Sequence, residues 1–283
     1  MVCEGAGRPP STWSSSGVWN CGGTTVGGVM SEVSFPRNRY RGYIRHDFQI
    51  GENTVIVVEP EHPAPGRRWV WRAEFFDAFP SLDLAMLERG WWLAFMNVGN
   101  TFGCPSAMRR FDVFYHDMTT QYGFHRKPVL EGLSRGGLYV YNWAVGNPGS
   151  VGLILADNPV CDFKSWPGGK GSGPGSAGDW AALLKCYGFA SEAEALAWSG
   201  NPVDKVAPLV KAGIPLVHLF GDADEVVPWE ENTQIMAERV EALGGKIKLI
   251  RKPGCKHHPH GPDDPAALAA WILENTHTAS CGA

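Results

Sequence analysis

The densest chemistry in the chain lies in Gly132-Leu133-Ser134-Arg135-Gly136, which follows the apolar run Pro128-Val-Leu-Glu131 and opens a helix-like stretch reaching Asn142. A serine with glycines two positions to either side, at a strand-to-helix junction, sits on a sharp bend that lifts its hydroxyl above the sheet. The bend leaves little room for Cβ atoms, and the glycines at 132 and 136 meet that demand. The same turn aims the Arg135 backbone N–H at the place where an attacked carbonyl oxygen becomes negative, and the helix that follows adds a favourable dipole.

A serine hydroxyl is a weak nucleophile until a histidine takes its proton, and that histidine needs a carboxylate to fix its tautomer. Two later segments supply them in the order Ser, Asp, His. The acid falls in Gly221-Asp222-Ala223-Asp224-Glu225-Val226-Val227-Pro228, after an apolar strand, where a loop delivers a carboxylate to the carboxyl edge of the sheet. Asp224 is the expected acid because Val226 and Val227 can pin the loop; Asp222 reads as a turn former and Glu225 as a third choice. The base falls in Pro253-Gly254-Cys-Lys-His257-His258-Pro259-His260-Gly261. His257, three places after Gly254, fits a short loop dropping toward the serine. His258 is the next choice, and His258 and His260 are candidates for substrate contact, with His260 also able to orient the loop. Three histidines in four positions raise the question of a metal. No carboxylate or cysteine cluster of ligand spacing accompanies them and Pro259 denies them a common helical face, so neither a metal nor a cofactor is expected.

A second donor for a developing oxyanion should come from the loop after Arg68-Trp69-Val70-Trp71, from the N–H of Arg72 or Ala73. The Arg72 guanidinium has two further options: a planar fork for a substrate carboxylate, or a salt bridge to Glu74 or Asp77.

The elements that must hold these groups alternate along the chain. Strands are expected over residues 43–48 and 54–58 as a hairpin, then 68–71, 91–96, 128–133, 151–156, 215–220 and 246–251. Helical spacing marks 81–89, 106–122, the stretch after Ser134 to about Asn147, 230–243 and 265–274. This rhythm predicts an α/β fold, a mainly parallel sheet of about eight strands with helices on both faces. It breaks at residues 158–200, where Gly and Pro surround Trp166 and two short helices, 179–187 and 191–199, are expected. An excursion of that length reads as a lid or substrate-binding insertion, with Trp166 as a stacking surface. Trp69, Trp71, Trp91 and Trp92 read as core.

Net charge of −4 with no long basic run argues against a nucleic-acid surface, and no apolar stretch reaches the ~18 to 20 residues of a membrane span. Seven cysteines show no C-x-x-C spacing; Cys104, Cys161 and Cys186 lie in expected loops, where one disulfide or buried free thiols would fit equally. Residues 1–29 are rich in Gly, Ser and Thr without the apolar core of a signal peptide, and read as a disordered leader or cloning remnant, with Met30 a natural start. Residues 30–283 then form one catalytic domain carrying the insertion.

The serine turn, the Gly221–Asp224 loop and the late histidines together resemble the α/β-hydrolase superfamily over about residues 40–275. More narrowly, Trp69-Val-Trp-Arg-Ala73, Gly132-Leu-Ser-Arg-Gly-Gly-Leu138, Tyr141-Asn-Trp-Ala144, Ser165-Trp-Pro-Gly-Gly169, Val227-Pro-Trp-Glu-Glu-Asn232 and His257-His-Pro-His260 resemble bacterial prolyl-oligopeptidase-like serine hydrolases from carbohydrate-degradation loci, some of them pectin methylesterase-like carbohydrate esterases. The resemblance implies a serine carboxylic-ester hydrolase with a Ser134–His257–Asp224 triad, acting on a small-molecule or oligosaccharide ester in a periplasmic or secreted setting. An amidase, peptidase or acyltransferase with the same triad is the alternative, and a catalytically dead binding scaffold is disfavoured by the intact triad.

Overall fold

A computed structural model describes residues 37–277; the leader expected over residues 1–29 and the cysteines Cys3, Cys21 and Cys281 lie outside the described residues. The strands are β1 (Arg37–Tyr40), β2 (Tyr43–Ile50), β3 (Asn53–Glu59), β4 (Trp69–Arg72), β5 (Trp92–Met96), β6 (Val129–Leu133), β7 (Leu153–Asp157), β8 (Leu216–Gly221) and β9 (Ile247–Lys252). They form one 9-stranded sheet in the order β1-β2-β3-β5-β4-β6-β7-β8-β9. β1, β2, β3 and β5 pair antiparallel in succession, and from β5 through β4 and β6 to β9 every pairing is parallel.

The sheet therefore has one strand more than expected, and its leading part is more extensively antiparallel. The additional strand, Arg-Asn-Arg-Tyr, buries only Tyr40 and carries no apolar alternation that could announce it. It exists through its ladder to β2, from Arg37 opposite His46 to Tyr40 opposite Tyr43. Its arginines charge the outer edge, which discourages pairing with another chain.

Helices α1 (Ser81–Glu88) and α8 (Pro265–His277) cover one face of the sheet; α2 (Pro105–Thr120), α3 (Gly136–Gly146) and α7 (Thr233–Ala242) cover the other. Burial on both sides explains why β4 to β8 read as continuous apolar runs. Alternate residues divide between the layers: Trp69 and Trp71 join the α2/α3 side and Val70 the α1/α8 side. The Trp71 ring lies 4.7–5.0 Å from those of Trp143, Phe114 and Phe111, and Trp91 and Trp92 are likewise buried. These tryptophans are core, as expected.

Between β7 and β8 the chain makes its long excursion, with α4 (Ala177–Tyr187), α5 (Glu192–Ala197) and the unanticipated α6 (Ala207–Lys211). Ser176 and Ser191 cap α4 and α5 by accepting from the N–H of the third residue on, and Gly188, in the left-handed region, ends α4. The excursion has its own aromatic cluster, with Tyr187 and Phe189 stacked at 5.4 Å and Trp198 edge-on to Phe189 at 5.5 Å. Its base is fastened: Asn232 Oδ1 accepts from the N–H groups of Cys161 (2.8 Å) and Asp162 (3.2 Å), and Asn201 Oδ1 from that of Phe163 (3.1 Å). These bonds tie the start of the excursion to Asn201 and to Asn232, just before α7. Cys104, Cys161, Cys186 and Cys255 are all free, so the disulfide considered among the first three does not form.

Candidate active site

Ser134 occupies the junction between β6 and α3 with φ of 51°, in the left-handed region that an L-residue holds only when its surroundings enforce it. Here they do. Its N–H donates to Asp157 O at 2.9 Å, and its carbonyl accepts from Gly137 N at 3.0 Å and Val160 N at 2.9 Å. A Cβ on Gly132 would lie 2.6 Å from Gly136 O, and one on Gly137 2.6 Å from Val160 O. At Gly136 the nearest atom would be Glu74 Cβ at 3.5 Å, an ordinary contact. The turn therefore demands glycine at 132 and 137, whereas position 136 is open toward the site.

The Ser134 Oγ lies 3.0 Å from His257 Nε2, and His257 Nδ1 lies 2.7 Å from Asp224 Oδ2. Because a carboxylate only accepts, Nδ1 carries the proton and Nε2 presents its lone pair to the serine hydroxyl. Asp224 is buried, and its other oxygen accepts from the N–H groups of Val226 and Val227, each at 2.9 Å. The two valines do pin the acid loop, through their backbone amides. Asp222 takes the turn role: it accepts from Gly254 N at 2.5 Å and from the Arg251 guanidinium at 2.7 Å, while Glu225 stands in solvent near Lys256.

Three residues not singled out in the sequence fix this geometry. Asn158 Nδ2 donates to His257 O at 2.9 Å while its Oδ1 accepts from Gly221 N at 2.8 Å, so one buried side chain ties the base loop to the end of the acid strand. Lys252 Nζ donates to the carbonyls of Pro259 (2.7 Å) and Gly261 (2.9 Å). Asp157 accepts from His260 Nδ1 (3.1 Å) and Gly261 N (2.6 Å). The one available signal was the polar pair Asp157-Asn158 closing an apolar strand. Asn158→Ala should leave the buried Gly221 N–H without an acceptor and lower stability by about 2 kcal/mol or more, read by denaturant unfolding. Unchanged stability would show that the tie is idle.

His260 is buried on Asp157, so it serves the loop; its Nδ1 is not offered to a substrate. His258 is exposed and stacks on Phe79 at 5.6 Å. Trp166 is partly buried, 6.3 Å from Phe102, which in turn lies under the Arg135 guanidinium at 5.8 Å. That guanidinium also covers Phe75 at 4.8 Å, donates to Asn100 Oδ1 at 2.7 Å and stands 3.3 Å from Glu74 Oε2. Burial pushes the Glu74 carboxyl up against the pull of Arg135. Among the described residues the Arg135 N–H has no acceptor, as an oxyanion donor requires.

Arg72 does not fill the second donor position. It is the last residue of β4, paired between β5 and β6, and the next N–H, that of Ala73, donates to Glu131 O at 3.0 Å. Nor does its guanidinium reach for substrate or for the carboxylates of Glu74 or Asp77. It is fully buried, with Nη1 2.6 Å from Asp83 Oδ2 and 3.5 Å from Glu131 Oε1, while Nε and Nη2 donate to the carbonyls of Glu74, Phe75 and Ala78. Arg72 instead shapes the 74–78 loop that walls the serine.

Beside it, burial and the neighbouring Asp83 raise the Glu131 carboxyl well above the usual range, against the pull of Arg72. An acid raised on folding stabilises fully below its unfolded pKa, about 4.3, and loses that contribution as pH rises toward the folded value. Glu131→Gln should therefore gain stability relative to the wild type as pH rises above about 4.3, by on the order of 1 kcal/mol per pH unit until Glu131 ionises in the folded chain. A pH-independent difference in unfolding midpoints would contradict an upward shift at Glu131.

The sequence matches no protein-family model and no curated protein. Solved structures are similar in fold. A puromycin-hydrolysing peptidase of Mycobacterium tuberculosis superposes with a TM-score of 0.63 at 12% identity, over 84% of this chain and 39% of that one. Dipeptidyl peptidase 4 of Porphyromonas gingivalis gives 0.61 at 13%, over 84% and 36%. This chain thus spans well under half the length of either peptidase. A bacterial membrane phospholipase A gives 0.52 at 14%, over 85% and 88%. At such identities the likeness is one of architecture, and the architecture this chain has in common with them is the α/β-hydrolase fold.

Proposed function

We propose that the protein is a serine hydrolase that cleaves carboxylic esters through an acyl-enzyme at Ser134. The observation that carries this reading is the unbroken relay from Ser134 Oγ to His257 Nε2 (3.0 Å) and from His257 Nδ1 to Asp224 (2.7 Å). In the first half-reaction Ser134 Oγ attacks the carbonyl carbon as His257 takes its proton, and His257 then returns that proton to the leaving oxygen. Water repeats the sequence on the acyl-enzyme. On this reading the developing oxyanion is held by the Arg135 N–H and, in place of Arg72, by that of Glu74, the first amide beyond β4 without an acceptor among the described residues.

The finer reading is an ester of a sugar or oligosaccharide, supported by the resemblance to carbohydrate esterases and by Trp166, which the excursion carries above Phe102. A second reading, a peptidase or amidase, is favoured by the fold likeness to two peptidases. A panel of p-nitrophenyl, methyl-uronate, acetyl-sugar and feruloyl esters beside aminoacyl anilides separates the two: faster turnover of esters, sugar esters foremost, is expected, and faster turnover of anilides would overturn it.

Trp166→Ala gives a second discrimination. It should lower kcat/KM on a bulky sugar ester by roughly 1–3 kcal/mol, the scale of aromatic stacking, while p-nitrophenyl acetate hydrolysis stays within a few-fold. Equal losses on both substrates would make Trp166 a packing residue.

A further inference from the structure

The late histidines do more than supply a base. The rings of His257, His258 and His260 stand pairwise 4.9, 5.0 and 5.0 Å apart, each edge-on to the others, and one ligating nitrogen from each falls within 4.8 Å of the other two. Around a tetrahedral ion with bonds of about 2.0–2.1 Å, ligand nitrogens stand about 3.3 Å apart. Binding therefore requires a closure of up to about 1.5 Å, and His258 is the exposed member of the three, beside the exposed Phe79.

The second observation is the way the two buried rings are held. His257 gives its Nδ1 to Asp224 and His260 gives its Nδ1 to Asp157, at 2.7 and 3.1 Å. Each therefore turns its Nδ1–H to a carboxylate, which leaves the Nε2 lone pair of the neutral ring for another partner. A carboxylate behind each imidazole is the arrangement that orients histidine ligands and raises their basicity toward a metal. Two buried carboxylates also favour a cation at this point, and the opposing charge of Lys252 is spent on the carbonyls of Pro259 and Gly261. Lys252 and Asn158 hold the backbone of the loop that carries the three rings.

We propose that His257, His258 and His260 form a binding site for a borderline divalent ion such as zinc, and that its occupation switches the enzyme off. His257 Nε2 cannot serve both the ion and Ser134 Oγ. When its lone pair coordinates the metal, the serine hydroxyl loses the one base within reach among the described residues; no proton changes hands, and removing the ion restores the relay. Hard ions such as magnesium and calcium prefer oxygen ligands and leave the site alone. The inhibitory consequence rests on the serine-hydrolase reading, but the binding itself does not.

The test uses the full, tag-free chain dialysed against chelator, with zinc chloride as probe. Calorimetric titration of the Ser134→Ala variant should show one ion bound per chain, and His258→Asn, which removes an exposed ligand without disturbing the buried pairs, should weaken that binding at least about tenfold, the scale already lost when an outer-shell partner is removed. In the wild type, zinc should abolish both p-nitrophenyl acetate hydrolysis and fluorophosphonate labelling, EDTA should restore both, and magnesium should do nothing. For His258→Asn the half-inhibiting zinc concentration, read against that variant's own metal-free rate, should rise in the same proportion. No saturable binding, or binding untouched by His258→Asn, overturns the site. Binding to the histidines with full activity retained overturns the switch alone, and a chain without hydrolase activity that still binds zinc through His258 refutes the enzyme reading and leaves the site standing.

Discussion

Ser134→Ala should lose ester hydrolysis by on the order of 10⁴-fold or more in kcat while folding as the wild type does. The alanine removes only Oγ; the bonds that lock the turn, Ser134 N to Asp157 O and Ser134 O from Gly137 and Val160, are all backbone. On the proposed reading, residues around Phe75, Phe102 and Trp166 hold the substrate, and their contacts do not involve the Ser134 hydroxyl, so binding should persist. The loss should thus appear in kcat, with KM little changed. Near-full activity in this variant would remove Ser134 from the reaction.

Asp224→Asn should cost nearly as much, about 10⁴-fold in kcat, although its side chain has the same shape. The carboxylate accepts on both oxygens, from His257 Nδ1 and from the amides of Val226 and Val227. An asparagine that keeps its oxygen on the two loop amides must turn its NH₂ toward His257, which then has to accept at Nδ1 and carry its proton on Nε2. A protonated Nε2 cannot take the serine proton. Circular dichroism and kcat measured side by side check this: native structure with collapsed kcat is expected, and native structure with kcat within tenfold of wild type would show that Asp224 does not set the tautomer. Parallel variants at His257 and His258 separate the base from its neighbour, since of the two it is His257 that bonds to Ser134 Oγ.

How much of this was legible in the sequence follows from where each signal lives. The serine turn, the acid loop and the base are encoded locally, in glycine spacing, strand–loop junctions and order along the chain, and Ser134, Asp224 and His257 meet in space as those patterns require. The central strands announced themselves because burial on both faces leaves an apolar run. β1 did not, because an edge strand held by backbone ladders needs no apolar pattern. The Arg72 expectation failed because strand length decides which amide is free: β4 runs one residue further than its apolar stretch, and sheet pairing consumes the N–H groups of the positions chosen. Asn158, Asp157 and Lys252 were invisible for a related reason. Asn158 and Asp157 act through contacts with residues 63 to 104 positions away, which no local spacing encodes, and Lys252 acts on the Pro259 and Gly261 carbonyls through a fold of the loop that its own neighbours do not announce. Gly137 was missed because the demand for its missing Cβ comes from Val160, on the far side of β7.

The most direct test of the central claim is covalent labelling of the nucleophile: incubation with a fluorophosphonate, then mass measurement of the intact chain and of its peptides. The relay predicts one adduct per chain, on Ser134, with activity lost in proportion and labelling absent in Ser134→Ala and His257→Ala. Ester hydrolysis that survives complete exposure to the reagent, or an adduct on any other residue that accounts for the lost activity, would contradict it.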